Sequence, residues 1–280
     1  MTKISGSLSL TLRNAVIGLL VVVIASCGNL SSSSKRVQAT SESKLAYILR
    51  STALFPSPVS TALEYLVGKN SLPVLAPNKI PTRLSAKTSS TQTSYKVSLY
   101  QCQSPLPLNS SKIGNSPWCS GLAHYFGNFG GTRYSTSANA VHWLNVLTRH
   151  RTQFCGAIVN RSIKFGLSQG TQVTMTSNGG STGYCKMTFD LNGWSVVIGG
   201  GTTLNSLSTA KQEALRIIGL MGEVQMPGKH GVVVIQTVGD GDHTLVDWTY
   251  GNSLYSISSY HSASEAFSMA GSIAETLPAS

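Results

Sequence analysis

One serine of this sequence stands in the pattern of a hydrolase nucleophile, because residues 166–170 read Gly-Leu-Ser-Gln-Gly around Ser168. In hydrolases with the pattern Gly-x-Ser-x-Gly, the serine lies on a sharp turn between a strand and a helix. Here residues 162–165 and 171–176 both have the composition of strands. The flanking sequence therefore predicts a hairpin turn, and we expect this serine to be non-catalytic.

A serine-type hydrolase that uses Ser168 stays as an alternative hypothesis, since catalytic triads recur on unrelated folds and in different chain orders. It requires the Ser168 hydroxyl to lie within hydrogen-bond reach of a histidine. The candidate bases are His243 and His261, and the candidate aspartates are Asp240, Asp242 and Asp247.

Residues that could hold a metal ion or a cofactor are sparse. Asp240 and Asp242 offer a pair of carboxylates, whereas Ca²⁺ takes about six to eight oxygen ligands. The glycine run at residues 199–203 lacks the lysine of a phosphate-binding loop. We therefore expect no metal site, no cofactor and no enzymatic activity.

Four cysteines lie in the body of the chain, at Cys102, Cys119, Cys155 and Cys185. They include no Cys-x-x-Cys pair and have no histidine at zinc-ligand spacing, which argues against a structural zinc site. An even number of cysteines in an exported chain indicates disulfides, although four cysteines allow three pairings. We favour the pairing that is local in sequence, Cys102 with Cys119 and Cys155 with Cys185.

A fifth cysteine, Cys27, follows a leader with the layout of a secretory signal peptide. Lys3 and Arg13 precede an uncharged run of 11 residues, 15–25, that is rich in Val, Ile and Leu. A helix that spans a bilayer needs roughly 20 apolar residues, so this run is short for a permanent anchor. The pattern predicts a signal peptide at residues 1–26, with an uncleaved signal anchor as the alternative.

The end of the leader, Ile24-Ala25-Ser26-Cys27, resembles the lipobox of bacterial lipoproteins. The resemblance implies cleavage before Cys27, diacylation of its sulfur and acylation of the new amino terminus. Two or three acyl chains make a lasting membrane tether, whereas a single chain binds only marginally. The protein would then be extracytoplasmic, and Gly28 in place of an aspartate after the cysteine favours the outer membrane in a cell that has one.

The sequence is basic, with a formal net charge of +11 at pH 7. Its basic residues are scattered, apart from residues 149–151 with Arg161 and Lys164 nearby in the chain. These residues form either a solvated face near a helix end, where cations suit the helix dipole, or a patch for lipid headgroups, anionic envelope polymers or extracellular nucleic acid. We expect no specific nucleic-acid partner.

An aromatic and glycine cluster spans residues 125–131, with Tyr134 close behind it. Such a segment is either a mobile loop that contacts a ligand or a turn-rich stretch whose rings fill the core, and we favour the second interpretation. We expect His124, beside it, to be a partly buried structural residue. The tryptophans are also expected in the core: Trp118, Trp143, Trp194 and Trp248.

Composition divides the chain into regions. The serine-rich stretch after Cys27 has no core-forming pattern and predicts a flexible tether. Two short helical patterns follow and are separated by Pro56 and Pro58, which forbid one continuous helix. The expected regions are residues 1–26, the signal peptide; 27–42, the lipidated cysteine and tether; 43–70, the helical segment; and 72–280, the core domain. As an alternative, the core domain consists of two related halves, at about 72–200 and 201–280.

Strand patterns dominate the core domain. From Tyr95 onward apolar residues alternate with polar ones, and Gly and Asn turn formers separate the runs, which indicates antiparallel hairpins. A Ser/Thr stretch at residues 85–94 is interpreted as a loop. The expected strands lie near residues 95–100, 172–176, 186–190, 194–199, 232–238, 244–250 and 254–258.

Three helices interrupt these strands, at about residues 136–150, 206–221 and 262–277, and each has an apolar stripe. Runs of strands with helices between the groups indicate an α+β fold. We therefore expect an antiparallel, hairpin-rich sheet with the helices packed on one face.

The core domain also resembles an uncharacterised domain found in secreted proteins and lipoproteins of several bacterial groups. The resemblance covers about residues 72–277; the cysteine-bounded insert at 102–119 and the helix after Tyr134 depart from the family's pattern. It implies a binding or structural domain of the envelope and brings no catalytic residues with it. The motifs that carry it are Leu75-Ala76-Pro77-Asn78-Lys79-Ile80-Pro81, then Val246-Asp247-Trp248 with Gly251 and Leu254-Tyr255, then Ser264-Glu265-Ala266 through Ile273.

Together these features predict a non-enzymatic, lipid-tethered domain that binds or scaffolds another component of the bacterial envelope. The alternatives are the Ser168 hydrolase and a carrier for a lipid or small ligand, which requires a large apolar cavity between sheet and helices. The expected partners are the membrane, through acyl chains on Cys27; an anionic envelope polymer or lipid headgroups; and an envelope protein.

Overall fold

A computed structural model of the chain describes residues 54–120, 124–155, 161–167, 170–177, 184–200, 204–238 and 241–274. The expected signal peptide, the lipidated Cys27, the tether and the first part of the helical segment lie outside the described residues. Ser168 and Asp240 lie outside them as well.

Ten strands and four helices make up the described part of the chain. The strands are β1 (Leu84–Ser90), β2 (Ser94–Gln101), β3 (Tyr125–Arg133), β4 (Arg161–Gly166), β5 (Gln172–Ser177), β6 (Lys186–Leu191), β7 (Trp194–Gly199), β8 (Gly231–Val238), β9 (Gly241–Tyr250) and β10 (Ser253–Ser259). The helices are α1 (Ser57–Leu66), α2 (Ser137–Arg151), α3 (Leu207–Gly222) and α4 (Ala263–Ala274).

All ten strands belong to one sheet, in the order β1-β2-β3-β10-β9-β8-β7-β6-β5-β4. Every neighbouring pair is antiparallel except β7 and β8, which run parallel. Parallel neighbours need a crossover connection, and α3 supplies it. The fold is therefore α+β with a mostly antiparallel sheet, as the sequence predicted.

Short glycine turns connect several of the antiparallel neighbours. Asn192 and Gly193 join β6 to β7 with φ values of 51° and 85°. Positive φ at both central residues is what a two-residue hairpin requires, and Asn-Gly adopts it at little cost. The turn residues thus set the register of this hairpin.

The prediction of a loop at residues 85–94 is wrong, because most of this stretch belongs to β1 and β2. Its hydroxyl side chains lack the apolar alternation that marks a half-buried strand. Pairing with β2 and burial of Leu84 and Ala86 hold the segment extended, and these contacts are tertiary. The aromatic cluster at 125–131, expected to be turn-rich, is likewise the strand β3.

The main core lies on the sheet face that carries Val233 and Ile235, which we call the core face. α1, α3 and α4 pack there, and the stripe expected on α3 is buried throughout. That stripe consists of Ala210, Ala214, Ile217, Ile218 and Met221. The largest fully buried side chains of this core include Trp194, Trp248, Tyr255, Phe126, Phe129 and Phe267.

α2 packs on the opposite face, so the expectation that the helices share one face is not confirmed. Its Leu144 clusters with Val232, Val234 and Leu254. Because successive side chains of a strand point to opposite faces, Val232 and Val234 lie on the face opposite the core face. We call this side the α2 face. Because β8 is apolar at both even and odd positions, both of its faces need cover, which one layer of helices cannot give.

The structure pairs Cys102 with Cys119 and Cys155 with Cys185, which confirms the favoured pairing. The Cα atoms of the pairs are 4.5 Å and 5.3 Å apart, within the range that a disulfide spans. Disulfides persist in oxidising compartments, so the pairing indicates an extracytoplasmic protein.

Among the described residues, none of the helices combines the length and the apolarity needed to cross a membrane.

Candidate ligand-binding face

The residues around Ser168 form a hairpin. β4 and β5 pair antiparallel from Arg161 opposite Ser177 to Gly166 opposite Gln172, and the Leu167 N–H donates to the Thr171 carbonyl at 2.9 Å. A strand follows the Gly-x-Ser-x-Gly pattern where a nucleophile elbow needs a helix. This agrees with the sequence-based expectation for the context of Ser168.

Within the described ranges, no group of three or more His, Cys, Asp or Glu side chains converges as metal ligands would.

The structure instead brings together a row of aromatic rings on the α2 face. Tyr100 of β2 contacts Tyr125 of β3 with ring centroids 5.2 Å apart, and Tyr125 contacts Tyr260, after β10, at 5.0 Å. Tyr260 stacks on His243 of β9 at 3.8 Å, with an interplanar angle of 19°. We call these four residues the tyrosine–histidine row.

Strand alternation places Tyr100 and His243 on the same face, and a register shift between β2 and β3 after Leu99 sets Tyr125 directly opposite Tyr100 on that face. In β9, Val246 and Trp248 enter the main core, so the odd-numbered His243 points to the α2 face. In β2, Val97 and Leu99 enter the core and Tyr100 points the other way. The pairing of β2 with β3, β3 with β10 and β10 with β9 then sets the rings side by side at one end of the sheet.

Asn128 of β3 fixes the middle of the row. Its Nδ2 donates to the Tyr125 hydroxyl at 2.8 Å and to the Ser258 hydroxyl at 2.6 Å. Its backbone N–H also donates to the Ser258 hydroxyl, at 3.2 Å. The half-buried amide therefore holds Tyr125 in place and presents polar atoms beside the rings.

An ion pair lies next to the row on the same face. The guanidinium of Arg151, the last residue of α2, contacts the carboxylate of Asp247 on β9. Burial raises the pKa of Asp247, while the charge of Arg151 and a hydrogen bond from Ser256 oppose that rise. The pair ties the end of α2 to the sheet and leaves little net charge beside the rings.

His243 is half-buried, and burial lowers its pKa, with the charge of Arg151 acting in the same direction. Because its pKa is lowered, the imidazole is neutral at neutral pH and has one donor and one acceptor nitrogen. Its Nε2 is buried and has no hydrogen-bond partner among the described residues. In the part of the chain that the structure describes, this nitrogen is the one buried polar side-chain atom of the row without a hydrogen-bond partner.

The hydroxyls of Tyr100 and Tyr260 stay protonated at neutral pH. Burial and the neighbouring Tyr125 both raise the pKa of Tyr100 and of Tyr260, while Arg151 acts against the rise at Tyr260. Each ring is only partly exposed, so the row offers ring surface together with hydrogen-bond donors. That combination suits a ligand with both apolar and hydroxyl-bearing surface.

The side chains of the 125–131 cluster lie on both faces of β3, so the favoured interpretation, that its rings fill the core, is right for only part of the cluster. Phe126 and Phe129 fill the main core, whereas Tyr125 and Asn128 face the other side. Tyr100 and Tyr260 were missed. Each stands at the end of a strand, out of phase with the core residues, and that signal alone does not show that the two become near neighbours.

The prediction that all tryptophans are core residues is right for Trp194 and Trp248 and wrong for the other two. Trp118 is 64% exposed, and Trp143 is 44% exposed and stacks against Tyr134. Trp143 falls on the flank of α2, whose contact with the sheet is narrow because only Ala140 and Leu144 of the helix are buried.

The basic residues do not form one patch. Arg151 is engaged by Asp247, while Arg161 and Lys164 are exposed on β4, the outermost strand. Four strand spacings separate β4 from β8, or roughly 19 Å at the usual distance between strands. Only Arg149 and His150 remain as the solvated residues expected at the end of α2.

A surface groove of about 520 Å³ lies between α3 and the start of β7. Its apolar lining includes Trp194, Leu215, Met221, Val224 and Met226. The volume is within the range of small-molecule sites. Leu215 is 45% exposed, so this is an open groove at the surface of the domain.

Comparison with known proteins found no family model, no curated protein and no solved structure that matches this chain. The resemblance to an uncharacterised envelope domain therefore stays a prediction from the motifs alone.

Proposed function

We propose that this chain is a non-catalytic, lipid-anchored domain of the bacterial envelope that binds a glycan strand of the envelope through the tyrosine–histidine row. The observation that carries the proposal is the alignment of Tyr100, Tyr125, Tyr260 and His243 across four neighbouring strands of a sheet face. Rigid strands are precise supports for a binding site.

Sugar rings suit this row because each has C–H groups on its faces and hydroxyls around its edge. The face of an aromatic ring is electronegative and attracts polarised C–H groups, while tyrosine hydroxyls form hydrogen bonds. Adjacent tyrosine rings are 5.0 to 5.2 Å apart, which is close to one strand spacing of about 4.8 Å. A linear chain of rings laid across the strands would therefore meet one aromatic side chain after another.

The charge at the row favours a glycan over a nucleic acid. Single-stranded nucleic acids need cations along the backbone as well as aromatic platforms. Here Asp247 neutralises Arg151, and His243 is uncharged at neutral pH. The basic surplus of the whole chain would still attract an anionic envelope polymer at longer range.

Anchoring follows from the leader and the compartment. The lipobox-like residues before Cys27 imply acylation there, and the two disulfides agree with an exported protein. A tether at residues 27–42 would let the domain reach a polymer beyond the membrane surface. The hydrolase alternative has no support in the hairpin context of Ser168, and the carrier alternative rests on the surface groove beside Trp194.

The test is binding of the full chain to purified peptidoglycan and to a soluble tetrasaccharide of β-1,4-linked N-acetylglucosamine. We expect Tyr125→Leu and Tyr260→Leu each to weaken binding by about tenfold, the loss of one aromatic contact of roughly 1 to 1.5 kcal/mol. Tyr65→Leu is the matched control, because Tyr65 is an exposed tyrosine on α1. Equal losses in all three variants, or no binding by the unaltered chain, would refute the proposal.

A further inference from the structure

The two outer edges of the sheet differ in their cover. Along β1, the Asn109 N–H donates to the Ala86 carbonyl at 3.1 Å, and the Thr88 N–H donates to the Asn109 side-chain carbonyl at 2.7 Å. The Cys102–Cys119 disulfide closes the segment that carries Asn109. This segment therefore satisfies edge groups that would otherwise be open to another strand.

β4 forms the other edge, and its register shows which groups face outward. The Leu167 N–H donates to the Thr171 carbonyl, so these two residues form a hydrogen-bonded pair of the hairpin. Hydrogen-bonded and non-hydrogen-bonded pairs alternate in an antiparallel ladder, so every second residue of β4, counted back from Leu167, bonds to β5. The N–H and C=O groups of Ser162, Lys164 and Gly166 then point away from β5. No hydrogen bond joins these outward groups to another residue that the structure describes.

Cations flank this open edge on both faces. Lys164 is exposed on the α2 face, because Ile163 and Phe165 turn towards the main core. On the core face, Arg161 is exposed and Lys211 of α3 lies 5.6 Å from the centre of the Phe165 ring. An extended segment laid along β4 would therefore meet positive charge on either side.

We propose that the β4 edge is a docking site for an extended acidic segment of a partner protein, which adds to the sheet as an eleventh strand. The outward groups of Ser162, Lys164 and Gly166 would supply main-chain hydrogen bonds, the usual source of affinity in strand addition. Carboxylates of the segment would pair with Lys164 on one face and with Arg161 or Lys211 on the other.

Charge complementarity selects this occupant over a second copy of the chain. Two β4 strands paired antiparallel in the register centred on Lys164 would place the Lys164 side chains of the two copies directly opposite each other. Like charges directly opposite in a sheet are destabilising. The site also lies far from the tyrosine–histidine row, since β4 and β9 are five strands apart, so the inference does not depend on the proposed glycan binding.

The probe is a synthetic peptide of about eight residues in which pairs of valines alternate with pairs of glutamates, so that carboxylates lie on both faces of the extended chain. It is long enough to cover a strand of 6 residues. We expect the full chain to bind it, and the amides of Ser162, Lys164 and Gly166 to shift in NMR spectra and to become protected from hydrogen exchange. Binding should weaken as salt is added, because the charges are exposed.

Two variants separate the backbone from the charge. Lys164→Pro removes an outward N–H at an edge position that tolerates proline, and we expect it to abolish binding. Lys164→Gln keeps the N–H and removes the charge, so it should weaken binding about two- to fivefold and flatten the salt dependence. Near-ultraviolet circular dichroism would show that both variants keep the fold.

Four results would overturn the inference. The first is equal binding of the same peptide with lysine in place of glutamate. The second is binding by Lys164→Pro at the affinity of the unaltered chain, and the third is a set of NMR shifts confined to residues away from β4. The fourth is a dimer in sedimentation experiments that Lys164→Pro dissociates, because a second copy would then occupy the edge.

Discussion

Arg151 at the end of α2 and Asp247 in the middle of β9 form an ion pair across 96 residues of sequence, and the Asp247 side chain is 1% exposed. The carboxylate has lost almost all of its hydration, so the guanidinium is its main charged partner. Removal of one member of such a pair leaves an uncompensated charge in the interior.

We expect Arg151→Gln to lower the free energy of unfolding by about 3 kcal/mol at pH 8. The pKa of Asp247 is already raised, and loss of Arg151 raises it further. A carboxyl with a raised pKa in the folded state stabilises the fold below its unfolded pKa and loses that contribution as the pH rises through the folded value. In urea unfolding experiments, the difference in free energy of unfolding between Arg151→Gln and the unaltered protein should therefore shrink as the pH falls from 8 to 5.

Arg149→Gln is the control for this pair, because Arg149 is exposed in the same turn of α2, and it should change stability by less than about 0.5 kcal/mol. Adding Asp247→Asn to Arg151→Gln should restore most of the loss at pH 8. If the double variant is no more stable than Arg151→Gln, the buried charge is not the cause.

His243 makes the stability of the fold depend on pH below neutrality. Its pKa is lowered by burial and by Arg151. A group with a depressed pKa contributes stability above its unfolded pKa, about 6.5 for histidine, that is lost as the pH falls through the folded value. His243→Phe keeps a ring against Tyr260 and removes the titration, so its melting temperature should exceed that of the unaltered protein by an increasing margin below pH 6.5.

His150→Gln, on the exposed part of α2, should leave the acid-side loss of stability unchanged. NMR titration of the His243 ring should give a midpoint below 6.5. A midpoint above 6.5 would contradict the burial argument.

Asn109 holds the β1 edge, and its backbone has a φ of 59°. Asparagine tolerates this left-handed conformation better than alanine. Asn109→Ala also removes the side-chain hydrogen bonds to Thr88, so we expect a loss of about 2 kcal/mol and faster hydrogen exchange of the Thr88 amide. Asn115→Ala, an exposed change in the same segment, should cost less than about 0.5 kcal/mol; equal costs would refute a special role for Asn109.

The tryptophans should respond to truncation according to their burial. Trp194 is 2% exposed and donates through Nε1 to the Gly228 carbonyl, so Trp194→Ala should cost about 3 to 5 kcal/mol. Trp143→Ala should cost about 1 kcal/mol or less, since Trp143 is 44% exposed and loses chiefly its stacking on Tyr134. Urea unfolding of the two variants measures the difference, and a larger cost at Trp143 would contradict the placement of α2.

Intact mass of the protein purified from membranes tests the leader and the disulfides together. We expect a chain that begins at Cys27 with acyl additions, and thiols at Cys102, Cys119, Cys155 and Cys185 that react only after reduction. A retained leader would contradict lipidation at Cys27, and free thiols without reduction would contradict the assignment to an oxidising compartment.

Local patterns predicted most of the elements. The hairpin of β6 and β7 follows from strand alternation around Asn192-Gly193, and α3 follows from its apolar stripe after the Ser206 cap. These signals depend on residues that are close together in the chain, so they can be recognised from the sequence alone. The strand β1 was missed because its hydroxyl-rich residues are held by pairing with β2 and by Asn109, which are distant in sequence or outside the strand.

The residues by themselves determined the fold class and the expectation of export, because both depend on residue type and spacing. The sequence left three cysteine pairings open, and the tertiary structure selected the local one. Only the tertiary structure decided that α2 crosses to the second face and that β10 lies between β3 and β9. That strand order brings Tyr100, Tyr125, Tyr260 and His243 into one row, although Tyr100 and Tyr260 are 160 positions apart in the sequence. Strand order follows from which faces bury together across the whole chain, and no local pattern encodes it.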